Sequence, residues 1–201
     1  MQRYDYLKAI AGDTGDALVV TAGWAAREWL ALRPGDASFR PRTLGLASSI
    51  GLGIALGLPH RKVIVIDGDG AFLMNLCGLP TIAWQNPSNL IHLLFDNECY
   101  EASGATATAT TARADAVALT KAAGYKNSCW VKSPEDFRQE FLKAWKRNEL
   151  SFIAAKVEQG QPSDLPVIRV DELENKYRFI RHIEATEHKG ILGPSDHRAK
   201  L

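Results

Sequence analysis

Val63-Ile-Val-Ile-Asp67 has the composition of a fully buried strand, and Gly68-Asp69-Gly70 follows it directly. A second apolar run, Leu90-Ile-His-Leu-Leu-Phe95, is followed in the same way by Asp96-Asn97. In an open parallel sheet, ligands bind in the crevice outside the carboxyl ends of the strands. The sequence therefore predicts that the two polar clusters line one crevice at the same edge of a sheet.

The rest of the chain repeats this alternation of apolar β-rich runs and helical patterns, which is typical of an α/β fold with helices on both faces of a parallel sheet. The predicted strands cover residues 17–21, 63–67, 90–95, 128–131 and 151–157. The predicted helices cover 24–32, 46–58, the segment after Gly70 through Trp84, 115–123, and a segment that begins at Ser133-Pro134. Pro80 fits its helix only within a first turn, and the small residues from Ser103 to Thr111 predict a mobile loop.

The Gln159-Gly160-Gln161-Pro162 break divides the chain into a predicted domain over residues 1–160 and a C-terminal extension over 161–201. In the extension, apolar residues recur at helical spacing on a charged background, which predicts an amphipathic helix that covers this domain or a partner. The residues of this apolar stripe are Val170, Leu173, Tyr177, Ile180 and Ile183.

Composition excludes several classes of protein. The 201 residues are 46% hydrophobic with a net charge of +1, and the basic residues are scattered, so we expect a globular protein that binds no nucleic acid. No apolar run reaches membrane-spanning length, and no secretion leader is visible. Cys77, Cys99 and Cys129 are odd in number and widely spaced, which favours reduced thiols and a cytoplasmic location.

The two polar clusters have the chemistry of a metal and diphosphate site. Mg²⁺ prefers carboxylate, amide and phosphate oxygens, and Asp69 and Asn97 supply the first two. Glycines on both sides of Asp69 allow the backbone to approach an anion. Gly-Asp-Gly alone is also an ordinary turn, so the hypothesis depends on the buried strand that precedes each cluster.

The chain resembles thiamine-diphosphate-dependent enzymes, whose signature runs from Gly68-Asp69-Gly70 to Asp96-Asn97, with Asp96 where most members have asparagine. Within that family it is most similar to the small subunit of sulfopyruvate decarboxylase and to phosphonopyruvate decarboxylase. The stretches that carry this similarity are 44–57, 65–75 and 96–100, with weaker similarity from Tyr6 to Val157.

The resemblance implies a set of site residues. Asp69, Asn97 and the backbone carbonyl of Cys99 would bind Mg²⁺, and Leu44 would hold thiamine diphosphate in its bent, reactive conformation. The remaining implied cofactor contacts are Ala22, Gly23, Trp24, Arg42 through its carbonyl, Gly68, Gly70, Ala71 and Tyr100.

The same resemblance implies a partner. The glutamate that activates the cofactor belongs to a pyrimidine-binding domain for which this chain has no room, so an α subunit would supply it, in an α₂β₂ or larger assembly. The implied reaction converts sulfopyruvate to sulfoacetaldehyde and CO₂, with Arg40 or Arg42 as candidate contacts for the second anionic group of the substrate.

Several alternatives remain open at this point. Phosphonopyruvate decarboxylation, an acetolactate-type carboligation, or a regulatory or scaffold subunit that retains the cofactor would fit the same motif. Gly51-Leu-Gly-Ile-Ala-Leu-Gly57 resembles a dinucleotide fingerprint but lies within a helical pattern, which favours close helix packing. Arg40-Pro41-Arg42-Thr43 and the segment after Tyr100 depart from the family pattern near the predicted reaction centre.

Overall fold

The structure, a computed structural model, describes residues 1–167 and 171–191. The strands are β1 (Leu18–Thr21), β2 (Ser38–Phe39), β3 (Val63–Gly68), β4 (Leu90–Asp96), β5 (Cys99–Tyr100), β6 (Thr106–Ala107), β7 (Asn127–Val131) and β8 (Ser151–Lys156). The helices are α1 (Arg3–Ala11), α2 (Ala25–Leu32), α3 (Ala47–Gly57), α4 (Asp69–Leu73), α5 (Gly78–Gln85), α6 (Ala116–Ala123), α7 (Pro134–Arg147) and α8 (Glu172–Glu187). In these two ranges no helix combines the length and the apolar character needed to cross a membrane.

Six strands of the described ranges form one sheet in the order β2-β1-β3-β4-β8-β7, and every neighbouring pair is parallel. Successive residues of β3 face opposite sides: Ile64 and Ile66 pack on one face, whereas Val63 and Val65 pack on the other. Each fully buried aliphatic side chain of this kind contributes about 1.5–3 kcal/mol.

Helices cover both faces of the sheet, as predicted. α1, α2 and α7 bury one apolar cluster that includes Trp29 and Phe137, and α3, α4, α5 and α6 bury a second around Phe72 and Phe152. The predicted cap of α7 is confirmed, because the Ser133 hydroxyl accepts a hydrogen bond from the Asp136 N–H at 3.1 Å. The predicted α/β architecture is therefore correct.

The segment predicted to be helical after Gly70 and through Trp84 forms two helices, α4 and α5, with a turn between them. The carbonyl of Asn75 accepts the Gly78 N–H at 3.1 Å, and Pro80 lies in the first turn of α5. Proline lacks the N–H that a continuous helix would need at this position, so the helix restarts ahead of it. Pro80 therefore lies in the first turn of a helix, as the sequence predicts.

The segment from Ser103 to Thr111, predicted as an irregular loop, contains short regular pieces. β6 pairs antiparallel with β5, and a 3₁₀ turn follows at Ala109–Thr111. Thr108 and Thr110 are buried there, because their hydroxyls reach acidic side chains at the sheet edge. Hydrophobic periodicity does not detect such a segment, since polar contacts anchor it.

Helix α8 lies within the predicted C-terminal extension. Its buried stripe includes the predicted Ile183, with Ile180 half-buried, but also Phe179, which was not predicted. Phe179 and Ile183 are buried against Leu18, and the Phe179 ring stacks on Phe39 at 5.6 Å between centroids. Leu173 and Tyr177 are exposed instead. Val170, together with the rest of 168–170 and 192–201 of the extension, lies outside the described residues. The boundary after residue 160 stays a prediction.

α1 and β2 had no counterpart among the predicted elements. α1 has the sequence Arg-Tyr-Asp-Tyr-Leu-Lys-Ala-Ile-Ala, in which charged and apolar residues alternate irregularly, and β2 has only two residues. α1 packs on α2 and α7, and β2 extends the sheet beside β1. Tertiary contacts stabilise both elements, which local sequence patterns indicate only weakly.

Replacing Phe179 with alanine should lower the free energy of unfolding by about 3–5 kcal/mol, because it removes a buried ring from the contact between α8 and the sheet. Urea denaturation monitored by circular dichroism measures this loss. Tyr177→Ala, on the exposed side of the same helix, is the control and should change stability by less than about 0.5 kcal/mol. Equal losses in the two variants would contradict the packing of α8.

Candidate cofactor-binding site

A pocket lies at the carboxyl edge of β1, β3 and β4, where the sequence predicts the crevice. Its walls come from the ends of these strands and from the segments that follow them. The predicted residues that line it are Ala22, Gly23, Trp24, Leu44, Gly68, Asp69, Gly70, Ala71, Asn97, Cys99 and Tyr100. Parallel pairing of Gly68 with Phe95 brings the two polar clusters together.

Asp69 is the first residue of α4, and its carboxylate is buried. The Thr108 hydroxyl donates a hydrogen bond to its Oδ2 at 2.5 Å. Burial raises the pKa of Asp69, the hydrogen bond from Thr108 opposes this rise, and the charge of Asp96 adds to it. A bound divalent cation would favour the ionised form of such a carboxyl group.

Asn97 follows β4 in a tight turn, and its side chain is buried. Its Oδ1 accepts the Cys99 N–H at 3.2 Å, and Glu98 between them adopts a left-handed backbone conformation with φ of 60°. Burial raises the pKa of the Cys99 thiol, which disfavours the nucleophilic thiolate. The backbone of Cys99 is therefore the part of this residue suited to a role in the site.

Asp96, which replaces the first asparagine of the family signature, is fully buried and carries its own counter-charge. The Lys156 ammonium lies 2.8 Å from Asp96 Oδ2, and the Thr110 hydroxyl donates to Asp96 Oδ1 at 2.8 Å. The position of Lys156 is set by the pairing of β8 with β4, which places this residue opposite Asp96. The negative charge of Asp96 is thus balanced by Lys156, which lies 60 residues later in the sequence.

Residues 21–155 match the protein family described as thiamine pyrophosphate enzyme, C-terminal TPP binding domain. The chain belongs to this family. The match confirms the fold class and the thiamine diphosphate cofactor predicted from the signature.

Relatives with similar sequences have names that agree with the resemblance. Sulfopyruvate decarboxylase subunit beta from Methanothermobacter thermautotrophicus is 37% identical over 190 residues, covering 93% of this chain and 98% of the relative. The protein of the same name from Methanocaldococcus jannaschii is 33% identical over 91% of this chain and 97% of the relative. Phosphonopyruvate decarboxylase from Streptomyces hygroscopicus is 33% identical over 81% of this chain, which spans 41% of that protein.

Solved structures agree on the fold. Benzoylformate decarboxylase from Polynucleobacter necessarius superposes with a TM-score of 0.67 over 81% of this chain at 20% identity. A thiamin-diphosphate-dependent enzyme from Mycobacterium smegmatis gives a TM-score of 0.69 over 79% of this chain at 18% identity. The present chain spans only 34% and 32% of those two chains.

The pocket of this thiamine-diphosphate-family chain has donor atoms that fit a diphosphate cofactor bound with Mg²⁺. A Cβ added to Gly70 would lie 2.5 Å from the Tyr100 ring, so only glycine fits beneath that ring. The nearby side-chain ligands, carboxylate and amide, are oxygen donors of the kind that Mg²⁺ prefers. The assignment of Asp69, Asn97 and the Cys99 carbonyl to Mg²⁺ stays a prediction.

A charged cluster without a predicted role reaches the pocket through Arg3 and Glu101. Arg3 donates from Nε and Nη2 to the two carboxylate oxygens of Glu28 at 2.7 and 2.9 Å, and its Nη1 lies 3.7 Å from Glu101. Arg3 and Glu28 are both buried, and burial raises the pKa of Glu28 while the hydrogen bond from Arg3 opposes the rise. Because they lie 25 residues apart on different helices, no local motif indicated the pair.

Arg42 is the predicted cofactor contact that the structure places away from the pocket. It is exposed and lines a shallow groove between β2 and α8, together with Arg40 and Lys176. Arg40 also borders a separate cavity of about 310 Å³ with Arg178 and the buried Thr21. The predicted role of the Arg42 carbonyl and the predicted contacts of Arg40 or Arg42 with substrate stay untested.

Gly70→Ala should lower the free energy of unfolding by about 1–3 kcal/mol, because the new methyl group overlaps the Tyr100 ring. It should also weaken thiamine diphosphate binding, measured by calorimetric titration of the chain combined with an α subunit. For the stability measurement, Gly68→Ala is the matched control, since its Cβ would meet its nearest neighbour at an ordinary 3.9 Å. In a Tyr100→Ala background the stability cost of Gly70→Ala should largely vanish, and strictly additive costs would contradict the clash.

Lys156→Met should destabilise the chain by about 1–3 kcal/mol, because it leaves the buried Asp96 carboxylate without its counter-charge. A second substitution, Asp96→Asn, should restore most of this loss by removing the charge. Lys143→Met is the control, since Lys143 pairs with the partly exposed Glu140 on α7. Urea denaturation of the wild type and the three variants measures these effects, and failure of Asp96→Asn to restore stability would contradict the pairing.

Proposed function

We propose that this chain is the diphosphate-binding β subunit of a thiamine-diphosphate-dependent 2-oxo-acid decarboxylase that converts sulfopyruvate to sulfoacetaldehyde and CO₂. The observation that carries the proposal is the meeting of Asp69 and Asn97 in a pocket at the carboxyl edge of β3 and β4. Near-complete alignment with two relatives named sulfopyruvate decarboxylase subunit beta supports the reaction.

The chain would hold the diphosphate end of the cofactor. Asp69, Asn97 and the Cys99 carbonyl would bind Mg²⁺, whose positive charge offsets the negative charge of the phosphates. Backbone amides of Gly70 and Ala71, in the first turn of α4, would donate to phosphate oxygens. The proximity of these groups, all of which border one pocket, supports the assignment.

On the opposite wall, the segment from Ala22 to Trp24 would complete the phosphate site. Gly23 has a left-handed backbone with φ of 64°, which turns the chain away from β1 into α2. Trp24 is 44% exposed although it borders the pocket, so its indole is available to cover a bound cofactor.

Leu44 would support the bent form of the cofactor. Its half-buried side chain borders the pocket, and the next residue, Gly45, has φ of 83°. A Cβ on Gly45 would lie 3.0 Å from Met74, so the glycine allows the Leu44 loop to lie directly against the segment after α4. When bound, thiamine diphosphate supplies a nucleophilic ring carbon and an electron sink for the pair left by departing CO₂.

A second subunit would supply the carboxylate that activates the cofactor. Of the carboxylates that border the pocket in the described residues, Asp67 and Asp69 lie at the diphosphate end. Glu101 is occupied by hydrogen bonds from Asn97 and the Gly160 N–H. We therefore infer a pyrimidine-binding α subunit, in an α₂β₂ or larger complex, and a cytoplasmic location in keeping with unpaired cysteines.

The substrate would be a three-carbon 2-oxo acid with a second anionic group. Arg40 and Arg42 stay candidates for that group, although both lie in the groove between β2 and α8. The similarity to phosphonopyruvate decarboxylase favours phosphonopyruvate as the second candidate substrate. Acetolactate-type carboligation and a scaffold role have no specific support in the site geometry.

Binding of thiamine diphosphate with Mg²⁺ should require both this chain and the α subunit, and should be lost in Asp69→Asn. Calorimetric titration of the separate and combined chains measures this, followed by aldehyde detection with sulfopyruvate, phosphonopyruvate and pyruvate. Asp16→Asn, at an 82% exposed carboxylate, is the control and should bind as the wild type does.

The outcomes separate the proposals. Decarboxylation by the isolated chain would remove the need for an α subunit. Cofactor binding by the complex without decarboxylation of any of the three acids would favour the scaffold role. A preference for phosphonopyruvate over sulfopyruvate would contradict the proposed substrate but support the proposed decarboxylation.

A further inference from the structure

The nitrogen of the Asn97 amide is held by a neighbour that the family motif does not include. An asparagine can serve as a metal ligand only through its oxygen, and its oxygen and nitrogen have almost the same shape. In this chain the Asn97 Nδ2 donates to Glu101 Oε2 at 3.1 Å. Since the nitrogen is held by Glu101, the oxygen faces the other way, toward the Cys99 N–H.

Glu101 is itself held from three directions. Its Oε1 accepts the Gly160 N–H, its Oε2 accepts from Asn97, and the Arg3 guanidinium lies 3.7 Å from the same Oε2. Arg3 in turn is fixed by its two hydrogen bonds to the fully buried Glu28. The Glu28-Arg3-Glu101 series thus connects α2 and α1 to the turn after β5.

Arg3 reduces the electrostatic repulsion that Glu101 would otherwise exert on the site. A carboxylate this close to the pocket would repel both Asp69 and the cofactor phosphates unless a cation offset it. Arg3 is the one basic side chain among the described residues that border the pocket. Its bidentate pairing with Glu28 fixes the guanidinium, so that Nη1 remains directed at Glu101.

We infer that Glu101 is a positioning residue that presents the Asn97 oxygen to the metal ion, and that Arg3, anchored by Glu28, holds Glu101 in place. The inference rests on the proposed metal site. Removal of a group that orients a metal ligand by a hydrogen bond typically lowers the metal affinity by about 10–100-fold.

The experiment measures Mn²⁺ affinity by electron paramagnetic resonance, with the chain assembled with its α subunit and saturated with thiamine diphosphate. Glu101→Ala should weaken Mn²⁺ binding about 10-fold or more. Glu101→Gln retains an acceptor for Asn97 and should weaken it less. Glu98→Gln removes a charge from the same loop at an exposed side chain that pairs with Lys156, and should leave the affinity unchanged.

An Asn97→Asp background distinguishes orientation from general damage to the site. Aspartate presents two equivalent oxygens and has no N–H to hold, so Glu101 has nothing to orient and adds only like-charge repulsion. Glu101→Ala should therefore strengthen Mn²⁺ binding in this background, which reverses its effect in the wild type. If the Glu101→Ala variant does not fold, Glu101→Gln is compared in the two backgrounds instead.

The outcomes are distinct. If the wild-type complex binds no Mn²⁺, the proposed metal site is wrong. If it binds and Glu101→Ala has the same affinity, or if Glu98→Gln weakens binding as much, the positioning role of Glu101 is overturned. Equal weakening by Glu101→Ala in both backgrounds would also overturn it, because a purely structural role would act in this way.

Discussion

The parallel pairing of β3 with β4 is the constraint on which the site depends. Because Gly68 lies opposite Phe95, both strands end at the same height and both are followed at once by polar residues. A shift of register by one residue would turn the alternating side chains of β3 to the wrong faces and separate Asp69 from Asn97. The two apolar clusters above and below the sheet therefore fix the site as well as the fold.

This arrangement concentrates negative charge where little water reaches it. Asp69 and Asp96 are both buried, and each is balanced by groups from later parts of the chain. The segment with Thr108 and Thr110 covers the two carboxylates with hydroxyl donors, and Lys156 pairs with Asp96 from the end of β8. Burial of a carboxylate is costly without such partners, which gives the region after β5 a structural reason for its threonines.

The sequence predicted the parts of the site that are local. Gly68-Asp69-Gly70 and Asp96-Asn97 are recognisable because each follows an apolar strand directly, and Gly70 is required by its contact with Tyr100. The sequence could not reveal which lysine balances Asp96, because strand order, not sequence distance, makes β8 the neighbour of β4. It also placed Tyr177 on the buried stripe of α8, where the docking angle selects Phe179 instead.

By itself, then, the sequence determined the α/β class, the cofactor and the residues that follow the two central strands, because periodicity and short motifs are properties of neighbouring residues. Only the tertiary structure decided how buried charges are paired. The Glu28-Arg3-Glu101 series joins three segments, and its members are recognisable as a group only once α1 packs beside α2 and Glu101, after β5, lies 3.7 Å from Arg3. Electrostatic balance depends on distance in space, and that distance is set by packing.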